Sequence, residues 1–346
     1  MTEKETATEK TTLHFPAEET KHEGTWLMWP HQYTYGKKYA NDIEYIWIEM
    51  TKALSTGEKV HIIAYDESLK NHIKDVLTAQ NVDMNQVDFL IAKSDDSWVR
   101  DTGPIFVNDN GTLKIVDFGF DGWGKKTKYK NDDKIPQEVE KEKNIPIIDV
   151  SDFVLEGGSV ELDGQGTALL TRSSVISKNR NAGMSEQQAN DYLKKYLGVT
   201  NIIWLDGVVD EDITDAHIDG FARFYNDKTI LTVSNDDFYE LYENIKGSDY
   251  DILKNAKNAK GEQYNIVEIP LTKNNVSGVD YKGSYLNFYV ANDVVLLPIY
   301  NDDNDRVAIE KIEKLYPNKK VVSINVVPLF KHGGMIHCVT QQQPQL

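Results

Sequence analysis

The chain has one thiol, Cys338, which follows Gly333-Gly334 close to the C-terminal end. A thiolate is a strong nucleophile, although a lone cysteine can equally be a small buried hydrophobe. The two glycines before it and the polar run Thr340 to Gln343 after it point to irregular, accessible backbone, which suits the nucleophile. His337, the neighbouring residue, is expected to point away from Cys338, so the distant His217 is the better acid/base partner.

Three further motifs supply carboxylates. In His217-Ile218-Asp219, a strand would put the imidazole and the carboxylate on one face, with Asp215 following by the same period. The same spacing also fits a cross-strand surface pair. Trp98-Val99-Arg100-Asp101-Thr102-Gly103-Pro104 sets Asp101 at the mouth of a strand, as a site residue or as half of a surface ion pair. Glu156 precedes Gly157-Gly158, which lets backbone approach a ligand or simply makes a tight turn.

The elements that must position these groups are strand hairpins alternating with helices, an α/β pattern. Turn residues at 108–111, 163–166, 226–227 and 292–293 each lie between two apolar runs. Ile43, Ile46, Trp47, Met50 and Leu54 have helical spacing, as do Leu69, Ile73, Val76 and Leu77. Buried strands are expected at Val60 to Tyr65, Val87 to Ala92 and Val321 to Pro328, with a loop from Lys93 to Asp101. Ser185 with Gln188 forms a capping box for a helix through Leu197, and a helix from Val307 to Tyr316 stops at Pro317. Residues 1–12 read as a disordered tail, residues 13–346 as one domain, and Gly124 to Lys143 as a charged surface excursion.

Among 346 residues, 38 Lys and Arg against 55 Asp and Glu leave a net charge of −17. That balance disfavours nucleic acid and anionic membrane as partners and favours a small cation. A single cysteine excludes an internal disulfide or a multi-cysteine zinc site and suits a reducing compartment. The N-terminal stretch has no apolar h-region and Val294 to Tyr300 is too short to span a bilayer, so a cytoplasmic protein is expected.

Taken together, Asp101, Glu156-Gly157-Gly158, Asp215-Ala216-His217-Ile218-Asp219 and Ile336-His337-Cys338 with Gln341-Gln342 are far more specific than any one of them. With Pro16-Ala17-Glu18 and Trp26-Leu27-Met28-Trp29-Pro30, they extend from about Phe15 to Gln343. The chain resembles the agmatine deiminase and bacterial peptidylarginine deiminase family of the guanidine-modifying (pentein) superfamily. The resemblance implies a five-bladed α/β propeller of ββαβ-type modules around a central acidic pocket. It implies Cys338 as nucleophile, His217 as acid/base, and Asp101, Glu156 and Asp219 as partners of a substrate guanidinium. Two positions depart from the usual pattern: Ala216 stands where a glycine is usual, and Met335 interrupts a usual Gly-Gly-Gly run.

Such a site would need no metal or organic cofactor. The carboxylates would hold the guanidinium over sulfur, and His217 would protonate departing ammonia and then activate water. The same carboxylates disfavour thiolate in the empty enzyme, an effect that a bound cation offsets. Agmatine is the expected substrate, with Trp98 and Trp123 walling its aliphatic tether and Asp215 able to join the site. Lys125, Lys126, Lys128 and Lys130 could instead receive a carboxylate, which keeps free-arginine and peptidylarginine deiminases open. An amidinotransferase, or an acidic polyamine-binding module with a structural cysteine, are the other readings, and self-association into a homodimer is left open.

Overall fold

The computed structural model describes residues 10–346. Most of the expected tail lies outside the described residues. Of its last positions, Thr11 donates to the Lys195 carbonyl at 2.7 Å and Thr12 to Asp109 at 2.5 Å.

The strands form five separate sheets. Four of them share one plan: an antiparallel hairpin, then one or two helices, then a strand parallel to the second hairpin strand. In the first, Ile105–Asp109 and Thr112–Gly119 form the hairpin, Ile135–Lys143 the helix and Ile147–Val154 the parallel strand. The second uses Val160–Leu162, Thr167–Thr171, the helix Glu186–Leu197 and Asn201–Leu205. The third uses Ala222–Asn226, Thr229–Thr232, two helices and Asn265–Glu268. The fourth uses Tyr289–Val290, Val294–Ile299, the helix Asn304–Leu315 and Lys320–Asn325.

The fifth sheet joins the two ends of the chain. Gln341–Pro344 runs antiparallel to His22–Met28, with Gln341 opposite Trp26, and the parallel strands Lys59–Ala64 and Val87–Ile91 complete it. Cys338 therefore enters a sheet whose central strand comes from the beginning of the sequence.

The local chemistry explains these elements. Ser185 and Gln188 make the expected reciprocal cap, and Gly198, at φ 70°, closes that helix in the left-handed conformation. Asp66 caps Glu67–Ala79 by accepting from the Leu69 N–H. Ile43, Ile46, Trp47, Met50 and Leu54 are all buried along one helix face, each worth roughly 1.5–3 kcal/mol of transfer free energy.

Three expectations need correction. The segment from Gly124 to Lys143 is no free excursion: its last nine residues form a helix that buries Ile135, Pro136 and Val139, which the surrounding charge concealed. The loop from Lys93 ends in a helical turn, Val99–Thr102. The strand expected to reach Pro328 stops at Asn325, and Val327–Phe330 is a short helix in which the proline occupies a first-turn position.

Candidate active site

Each module delivers its chemistry from the turn just before its first strand. Asp101 precedes Ile105–Asp109, Glu156 to Gly158 precede Val160–Leu162, and His217 and Asp219 precede Ala222–Asn226. Asn287 precedes Tyr289–Val290 and Cys338 precedes Gln341–Pro344. Hydrogen bonds between these turns bring the five positions together.

His217-Ile218-Asp219 is not a strand. His217 caps a 3-10 turn at Ile218–Gly220, and the preceding Asp215 and Ala216 both have left-handed backbone, at φ 59° and 65°. The imidazole and the Asp219 carboxylate thus share the site through a tight turn. Asp215 is turned away: Oδ2 accepts from Arg180 Nη1 and Lys126 Nζ, each at 2.8 Å, and Oδ1 from Asn179 and the Asp210 N–H. Ala216 stands in a conformation that favours glycine, which accounts physically for the usual residue there.

The ring of His217 has two different sides. Nε2 donates to Glu156 Oε1 at 3.1 Å, while Nδ1 lies 3.8 Å from Asp101 Oδ2. Nδ1 is therefore the nitrogen left for proton transfer. Burial disfavours the charged ring, but Asp101, Glu156 and Asp219 outweigh it and raise His217 to about 9. Glu156 is buried, yet Arg180 and His217 hold its carboxyl below the usual range.

Asp101 is fixed by two donors, the Gly158 N–H to Oδ1 and Trp123 Nε1 to Oδ2, both at 2.9 Å. Burial, with Glu156 and Asp219 nearby, raises its carboxyl despite His217. Gly158 permits this convergence: a β-carbon there would lie 2.6 Å from His217 Nδ1, 2.9 Å from Asp101 Oδ1 and 3.0 Å from Asp219 Oδ2. Glycine at 158 thus leaves open the point on which three polar groups are aimed.

Cys338 is half-buried in a 3-10 turn, and its Sγ lies 3.5 Å from Asn287 Oδ1. Burial and then the charges of Asp219 and Asp101 push its thiol well above the ordinary range, the direction expected of an empty acidic site. Trp98 packs against Gly334, where any side chain would collide with the indole. Trp123 sits in a turn with left-handed backbone from Gly122 to Lys125, and its indole anchors Asp101.

Four residues escaped the sequence reading. His337 does not simply point away: Nδ1 donates to Asp219 Oδ2 at 2.8 Å and Nε2 faces Glu18 Oε1 at 2.6 Å. Asp219 is thereby held below the usual carboxylate range in spite of burial. Glu18 also accepts from Arg223 at 2.8 Å. Asn287 accepts from the His337 N–H at 2.9 Å, and its amide donates to the Asp219 carbonyl at 3.3 Å. Arg180 grips Glu156. Glu18 and His337 lie within recognisable motifs, but nothing in the sequence around Asn287 or Arg180 marks either one.

The mixed α/β fold matches structures of the pentein superfamily. The sequence profile of the "Porphyromonas-type peptidyl-arginine deiminase" family matches residues 14–344, and the chain belongs to that family. A Listeria monocytogenes protein named "Putative agmatine deiminase 1" is 31% identical, with 99% of each chain covered. The structure titled "Putative Arginine Deiminase" from Porphyromonas gingivalis superposes with a TM-score of 0.87 at 31% identity, over 96% of this chain and 98% of that one. An agmatine deiminase of Enterococcus faecalis gives 0.85 at 28% identity, over 96% of each.

Proposed function

We propose that the chain is an agmatine deiminase that hydrolyses agmatine to N-carbamoylputrescine and ammonia through an amidino-cysteine intermediate. The observation that carries this reading is the convergence of His217 Nδ1, Asp101 and Asp219 on the space beside Gly158, with Cys338 joined to the Asp219 turn through Asn287. A planar cation entering there meets carboxylates aligned for its N–H groups, and its charge favours loss of the thiol proton.

The thiol proton passes to solvent and sulfur bonds to the guanidinium carbon as the C=N π pair moves onto nitrogen. Protonated His217 gives its proton to the departing nitrogen, which leaves as ammonia. The neutral ring takes a proton from water as the water oxygen bonds to the same carbon, and the C–S bond breaks to return the cysteine. Glu156, held at both oxygens by Arg180, supports the imidazolium in this scheme, with Asp101 and Asp219 nearest the substrate. Four ββαβ-type sheets and a fifth that pairs the two chain ends support reading residues 13–346 as one five-bladed propeller.

Agmatine is favoured over arginine because Lys126 is committed to Asp215 and the Ile213 carbonyl, and so is not free for an α-carboxylate. A peptidylarginine reading retains one support, the exposed Lys125, Lys128 and Lys130 beside Trp123. Specificity constants for agmatine, arginine and a C-terminal arginyl peptide, with products resolved by mass, test the choice. Agmatine should exceed both. Equal or better hydrolysis of either competitor would overturn the substrate, and no hydrolysis of any would overturn the deiminase.

A further inference from the structure

We infer that Arg180 is a positioning residue for this chemistry: its guanidinium aligns Glu156 beneath His217 and ties that pair, through Asp215, to the turn that carries Trp123. The inference rests on the deiminase reading for its kinetic part only.

Arg180 lies in a turn at Ser177–Arg180, outside every motif named above, and its side chain is fully buried. Nε contacts both Glu156 oxygens at 2.9 and 3.0 Å, and Nη2 contacts Oε1 at 2.8 Å. Nη1 reaches Asp215 Oδ2 at 2.8 Å, which Lys126 shares at the same distance. A β-carbon on Gly124 would lie 3.1 Å from Nη1, so the Trp123 turn rests directly on the guanidinium. One planar fork therefore joins the acid/base pair to the loop whose indole fixes Asp101.

The charges explain why a cation is needed there. Glu156 faces Arg180 and His217, with Asp121 nearby, and His217 faces Asp101, Glu156 and Asp219. Arg180 itself faces Glu156 and Asp215. Without Arg180, a fully buried Glu156 is driven toward its neutral acid, and a neutral acid no longer stabilises imidazolium. A merely structural arginine would leave the His217 midpoint unmoved or, through loss of a nearby positive charge, raise it, so a fall is the discriminating result.

Arg180→Gln, Glu156→Gln and the double variant separate these cases. The readouts are agmatine kinetics and NMR titration of the His217 ring, assigned by its disappearance in His217→Asn. Arg180→Gln should lower the His217 midpoint by about one pH unit or more and kcat by roughly 100-fold, with KM within about threefold. In the Glu156→Gln background the arginine change should add less than about threefold, because its route of action is gone. An unmoved or raised midpoint in folded Arg180→Gln, or an equal kcat loss in both backgrounds, would overturn the proposal. Should Arg180→Gln not fold, the comparison of Glu156→Gln with the double variant decides by the same criterion. If no guanidino compound is hydrolysed, the titration still decides the coupling while the functional reading fails.

Discussion

A β-carbon on Gly158 would stand 2.6 Å from Nδ1 of His217, closer than any real side chain permits. Glycine is thus required here by the imidazole, with no demand for positive φ. Gly158→Ala should reduce kcat by roughly 100-fold or more and cost about 1–3 kcal/mol in chemical denaturation, the range for overpacking. Alanine at wild-type rates would show that the ring has another position in the working enzyme.

Burial lowers and three carboxylates raise the His217 value, and the raised result, about 9 against 6.5, sets a pH window. The folded value lies above the unfolded one, so the stabilisation is fully present below about 6.5 and is lost as pH rises through about 9. Turnover that uses imidazolium as acid should fall over the same upper limb. Thermal melts and rate profiles from pH 6 to roughly 10 should both show the limb, and His217→Asn should flatten it in the melts.

His337 spans Asp219 and Glu18, a contact that neighbouring Cys338 had obscured in the sequence. His337→Ala removes both bonds, leaving the buried Asp219 carboxylate without its side-chain donor while Glu18 keeps Arg223. Stability should fall by roughly 1.5–3 kcal/mol, the range for losing a hydrogen bond to a charged group. His337→Gln, which keeps a donor, should recover part of this loss; equal melting of the two variants would contradict the bridging role.

Ala216 sits at φ 65° with its N–H bonded to Asp212 and its carbonyl to Thr171. Ala216→Gly should therefore stabilise the protein by about 1 kcal/mol, because the β-carbon strain outweighs the added freedom of the unfolded chain. A loss of stability on equilibrium unfolding would contradict the strain assignment.

The hairpins were legible because Asn, Asp and Gly between apolar runs leave few alternatives, and all four expected hairpins are antiparallel pairs in the structure. Ser185 and Gln188 were legible for a similarly local reason. Asp101, Glu156, His217, Asp219 and Cys338 do gather, though not through the strand period that their spacing suggests. At His217 two left-handed residues and a 3-10 turn do the aiming in place of the expected strand. Period 2 also put Asp215 in the site, whereas it pairs with Arg180 and Lys126 behind it. Arg180 and Asn287 were illegible because their meaning depends on partners 24 and 51 residues away, at Glu156 and Cys338.

The central claim, attack by Cys338 on the guanidinium carbon, is tested most directly by intact-protein mass of His217→Ala mixed with agmatine and quenched in acid. Without the imidazole both steps slow, but an adduct of agmatine less ammonia that forms over a long incubation is no longer hydrolysed and should accumulate, and peptide mapping should place it on Cys338. An adduct on another residue, or ammonia release by Cys338→Ala at the wild-type rate, would contradict the account.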